Sequence, residues 1–102
     1  MIADDPGQRL VYENQRIRIW EEVLPVGEES ARLHRHRFQF MPIIVEGGHI
    51  EFADETGVVE GTRILARGPL GWRAADQVPF VHGARNVGDT EIRVIIVEDV
   101  GA

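Results

Sequence analysis

The chain has 102 residues, 43% hydrophobic and 27% charged, a balance that suits one soluble domain built around one core. Its formal net charge of -6 argues against nonspecific binding to nucleic acid or to an anionic membrane, and no apolar run is long enough to span a bilayer. Cysteine and lysine are both absent, which removes disulfides, thiolate metal sites, thiol nucleophiles and Schiff-base chemistry.

Ser30 is the sole serine, and nothing around it resembles a nucleophile elbow. Any chemistry therefore falls to a metal ion or a carboxylate. The opening Met1-Ile2-Ala3-Asp4-Asp5 lacks the basic and apolar regions of a signal peptide, so a cytoplasmic location is the expectation.

In chain order, residues 1–8 read as an irregular, flexible arm, because Asp4, Asp5, Pro6 and Gly7 oppose regular structure. Residues 9–102 read as one β domain. Arg16–Leu24 begins with strict alternation and predicts a strand that Pro25-Val26-Gly27 ends. Residues 31–38 and 40–46 predict two more strands. Gly47-Gly48 is a hairpin signal, with 49–53 as the return strand and Asp54–Gly57 closing it. Residues 61–67 form another candidate strand before Gly68-Pro69. Residues 79–85 follow, and then the turn Asn86–Asp89. Glu91–Glu98 is the last strand and the clearest alternation. No segment sustains a helical period over three turns, so the pattern predicts an all-β sandwich or small barrel.

Three of the four histidines carry the functional signal. His34 and His36 stand two apart, which on a strand puts both imidazoles on one face, about 6–7 Å apart along it. Two imidazoles so placed can converge on one metal ion, and His82 from a neighbouring strand can complete a facial trio with open positions for a ligand. A barrel gives three such strands a common interior. Without an ion, the same histidines would merely line the barrel mouth. Arg35 and Arg37 alternate outward from the pair. Arg32 shares its inward parity and is a candidate to bind a substrate carboxylate. Asn86 is expected to bond the backbone in the turn before Gly88. Trp72, Phe38, Phe52 and Phe80 are expected in the core.

These residues resemble the cupin superfamily over roughly residues 13–98. Gly27, His34, His36 and Gly47 fit the first cupin motif, and Gly71, Pro79, His82 and Asn86 fit the order of the second. Among small single-domain cupins the chain is most similar to the β-alanine degradation type. The resemblance implies a cupin-type β-barrel, also described as a double-stranded β-helix or jelly roll. It implies a divalent transition metal (Fe, Ni, Zn or Mn) on His34, His36 and His82, and a homodimer paired through sheet edges. Two departures stand out. Phe40 occupies the position where the family carries a glutamate ligand, and Pro79 lies closer to His82 than the family spacing has it.

Phe40 leaves two readings open. In the first, a neutral three-histidine site keeps the full charge of the ion and favours a small carboxylate or an enolised diketone, with dioxygenase-like or lyase-like chemistry and with Arg32 and Phe40 contacting the substrate. In the second, the metal site is degenerate and the barrel is a noncatalytic small-molecule-binding or accessory module.

Overall fold

Period-2 alternation becomes strands throughout the residues that the computed structural model describes, 2–28 and 33–101. The strands are β1 (Arg9–Glu13), β2 (Ile17–Leu24), β3 (His34–His36), β4 (Gln39–Glu46), β5 (Gly48–Ala53), β6 (Val59–Leu65), β7 (Gly68–Pro69), β8 (Phe80–Asn86) and β9 (Ile92–Asp99). A single 3-10 turn, Ala75–Gln77, is the one helical element among the described residues. Among the described residues no helix is long and apolar enough to cross a membrane.

The strands form two antiparallel sheets. One has five strands in the order β1-β2-β9-β4-β7, the other four in the order β3-β8-β5-β6. The strands β2, β4 and β9 each turn one parity inward. Trp20, Glu22 and Leu24 are the inward set of β2, Ile92, Val94, Ile96 and Glu98 that of β9, and Phe40 and Ile44 belong to that of β4.

Register separates the interior into two ends. Leu24 lies opposite Ile92, Ile44 opposite Val94, and Ile50 opposite Asn86, so this end is aliphatic and closed, with Leu65 completing it. Trp20, Phe40 and the histidines lie toward the other end, which is open.

Asn86 clamps the closed end. Its Nδ2 donates to the carbonyl oxygens of Leu24 at 2.9 Å and Thr90 at 2.7 Å, and its Oδ1 accepts from Gly88 N at 3.0 Å. The expected turn bond to Gly88 is thus present. A side chain that is 0% exposed has its amide satisfied on three sides, as burial of a polar group requires.

Two expectations are corrected. Gly47-Gly48 is not a hairpin, because β4 pairs with β9 and β7 whereas β5 pairs with β6 and β8. The dipeptide is instead a corner where the chain passes from one sheet to the other. A Cβ at Gly47 would overlap the carbonyl oxygen of Leu65, so close backbone approach demands glycine there. The real hairpin joins β5 to β6, where the Asp54 carboxylate accepts from Thr56 N, Thr56 Oγ1 and Val58 N. The second correction adds β1, an edge strand exposed along its whole length that shows no buried parity for sequence reading to find.

Ahead of β1 the chain lies against β3. Ala3 bridges His34, and Asp4 pairs with Arg35 at 2.7 Å. Gln8 brackets Val23, its side chain donating to the carbonyl oxygen and accepting from the amide.

Candidate metal centre

β3 is only three residues long, and its inward parity is His34 and His36, both buried. It pairs with β8 so that His34 lies opposite His82 and His36 opposite Phe80. The short Pro79–His82 spacing therefore leaves His82 in register with the pair.

The three rings converge through one nitrogen each. His34 Nε2 and His36 Nε2 are 3.0 Å apart, and His36 Nε2 and His82 Nε2 are 3.1 Å apart. Two nitrogens at that separation, each about 2.1 Å from a shared ion, subtend about 90° at it, as neighbouring positions of an octahedral face do. The three residues form the one group of potential metal ligands among the described residues.

Two of the donors, His36 and His82, are held in the right protonation state. Burial, and then the neighbouring His34, His82 and Arg73, push the pKa of His36 down to about 2. Burial, and then His34 and Arg73, push that of His82 down to about 3. Both imidazoles are neutral at any physiological pH, with a lone pair available on each ring. Hydrogen bonding alone satisfies the arrangement poorly. A neutral Nε2 carries either one hydrogen or one in-plane lone pair, so the contacts of His36 to His34 and His82 must share it, and at most one of them is a full-strength bond. An ion accepting all three lone pairs removes that conflict, so the residues fit a divalent transition metal.

The second nitrogen of His36 is held differently from that of many metal-ligating histidines. Its Nδ1 is buried without a hydrogen-bond partner among the described residues. Packing fixes the ring instead. It stacks on Phe40 with centroids 3.8 Å apart and planes 9° from parallel. Phe40 thus lies beside the site, 3% exposed and part of the core cluster, and offers no oxygen to an ion.

The histidines open into a cavity of about 600 Å³, within the range of small-molecule sites. Phe40, Phe52 and Phe80 supply apolar wall. Two residues that sequence reading did not single out also line it, Arg73 and Glu22. Arg73 follows β7 and is brought in by backbone pairing with Phe40, whose carbonyl oxygen accepts from Arg73 N at 2.8 Å. Its guanidinium carbon stands 4.1 Å from the Phe80 ring centroid, a cation–π arrangement. No carboxylate among the described residues pairs with it.

Glu22 is 7% exposed, and burial raises its carboxyl pKa from 4.5 to about 7. One signal for it was in the sequence, a carboxylate on the inward parity of β2 between Trp20 and Leu24. Arg73 had none, because a long-range pairing delivers it.

Arg32, the candidate substrate arginine, lies outside the described residues. Arg35 points outward to Asp4 as expected, and Gln39 Oε1 accepts from Trp72 Nε1 at 3.1 Å. Trp72 is not in the core but 44% exposed at the cavity rim, held there by that bond.

No family model matches the chain, and comparison with curated proteins finds no relative. Solved structures do match. A cupin domain from Bordetella pertussis Tohama I is 24% identical with a TM-score of 0.74, over 97% of each chain. A conserved double-stranded β-helix protein from Klebsiella pneumoniae is 21% identical with a TM-score of 0.68, over 98% of this chain and 84% of that one. A sugar phosphate isomerase of the cupin superfamily from Silicibacter pomeroyi is 17% identical with a TM-score of 0.55, over 82% of this chain and 50% of that one. The two antiparallel sheets and these neighbours give the chain the cupin fold, with a three-histidine group close enough to bind a metal.

Proposed function

We propose that the protein is a metal-dependent cupin that holds a divalent transition metal on His34, His36 and His82 and binds a small carboxylate or other chelating anion beside it. The convergence of the three Nε2 atoms, with that of His36 3.0 Å from that of His34 and 3.1 Å from that of His82, carries the reading. When bound, the ion supplies a Lewis-acid centre whose positive charge no ligand neutralises.

The chain's own residues complete the site. Arg73 presents an unpaired cation to the cavity, suited to an anionic group. Phe40, Phe52 and Phe80 exclude water from that contact and strengthen it. The narrower sequence resemblance, to β-alanine degradation-type cupins, points to the same ligand class.

Metal content measured by elemental mass spectrometry on untagged protein, expressed with mixed metals supplied, tests the reading. About one transition metal per chain is expected, lost in His82→Ala. A folded chain that takes up no metal on reconstitution overturns it.

One observation favours a second reading, a noncatalytic binding module. The glutamate slot of the family holds Phe40, stacked on His36 rather than offering a ligand. Undiminished ligand binding by metal-free His34→Ala would select that reading.

A further inference from the structure

Across the cavity from the histidines, the five-stranded sheet contributes one ionisable inward residue that borders the open space, Glu22. It sits on β2 between two core residues, Trp20 and Leu24, and opposite Val94. Among the described residues its carboxylate has no ion-pair partner. A buried carboxyl without a partner is costly unless something else uses it.

The charged groups around it are otherwise accounted for. On β9, Arg93 bonds Glu21 and pairs with Glu91, and Glu98 accepts from Trp20 Nε1 at 2.6 Å. On the β1 side, Arg9 pairs with Glu21 on the outer face. Inside the cavity the charged or titratable groups are His34, His36, His82, Arg63, Arg73 and Glu60. None of these sets the protonation of Glu22, which burial alone governs.

We propose that Glu22 and Arg73 make the cavity a proton-coupled carboxylate site, in which the Glu22 carboxyl donates a hydrogen bond to the bound anion and the Arg73 guanidinium balances its charge. The ligand class rests on the function proposed above; the proton coupling does not require the ion. The chemistry is a single protonation. A carboxylate entering a low-dielectric cavity beside an ionised Glu22 places two negative charges together, so Glu22 takes one proton from solvent as the anion binds. An O–H bond forms on Glu22, no bond in the ligand breaks, and the pair shares the proton as a short charge-assisted hydrogen bond. Since the free carboxyl titrates at about 7, uptake is expected above that pH and not well below it.

Calorimetric titration with malonate, and with pyruvate as a monocarboxylate, tests this on the full chain, both as purified and loaded with Zn²⁺. Buffers of different ionisation enthalpy yield the protons taken up per ligand bound. Uptake approaching one proton at pH 8 with either anion is expected, and near zero at pH 5.5 with pyruvate, which does not itself titrate there. Glu22→Gln should bind without uptake. Arg73→Gln should bind at least tenfold more weakly and still take up the proton. Thermal unfolding of each variant confirms that it is folded. Binding without uptake at pH 8, uptake that persists in Glu22→Gln, or no binding of either anion in either form overturns the proposal. Failure of the metal reading shows separately, as absent metal with Glu22-dependent uptake intact.

Discussion

The buried carboxyl of Glu22 makes stability depend on pH in a direction opposite to that of most acidic residues. It titrates near 7 in the folded chain against an ordinary value of 4.5. Below pH 4.5 it is neutral in both folded and unfolded chains and contributes nothing to the difference. Between 4.5 and 7 the unfolded chain releases its proton first, so stability falls as pH rises. Above 7 the full penalty of burying the charge is present. At about 1.36 kcal/mol per pH unit, the gap between the two values comes to about 3 kcal/mol. Glu22→Gln keeps the shape and removes the charge. The variant should match the wild type near pH 4.5 and exceed it by about 3 kcal/mol at pH 8. Urea unfolding followed by tryptophan fluorescence reads this as a midpoint about 1–3 M higher at pH 8. Comparing variant with wild type at each pH cancels the other titrating groups. A difference that stays constant from pH 5 to 8, or a wild type more stable than the variant at pH 8, would refute the reasoning.

Three further outcomes are expected. Zn²⁺ or Ni²⁺ at about 100 times its dissociation constant should stabilise the fold by about 2.7 kcal/mol. For a domain of this size that is a Tm rise of about 10–20 °C, absent in His36→Ala. Asn86→Ala strips three hydrogen bonds, one buried and two part-buried, worth about 1 kcal/mol each and should cost about 3 kcal/mol in chemical denaturation; a loss under 1 kcal/mol would mean that water replaces the clamp. The edge strand β1 exposes Leu10, Val11 and Tyr12, and pairing of two copies through it predicts a homodimer. A monomeric mass by light scattering at micromolar concentration would count against that pairing.

Strand existence was legible wherever one face is buried, since alternation in Ile92–Asp99 or Ile17–Leu24 is the burial pattern itself. The His34–His36 pair was legible for the same reason, parity on a strand. Which strands pair was not. Gly47-Gly48 has the composition of a hairpin, and only the overlap of a Cβ with Leu65, a residue far along the chain, marks it as a corner. Arg73 was invisible because its position depends on pairing with Phe40, more than thirty residues earlier. Glu22 stood in plain view, as the one charged residue in the inward series Trp20, Glu22, Leu24. Its meaning needed the cavity, because a carboxylate at an inward position reads equally as a register slip until its surroundings are known.

The aliphatic, Asn86-clamped end of the barrel has a bearing on how this scaffold could diversify. Of the residues that hold the sheets together there, Ile92 and Asn86 lie outside the cavity lining, and Leu24 and Ile44 belong to its aliphatic wall. Substitutions at the mouth can change charge and chelating capacity while the clamp keeps the strands in register. A library that randomises Arg73 and Glu22, and leaves the core residue Phe40 in place, would therefore explore new ligand chemistries against a fixed floor.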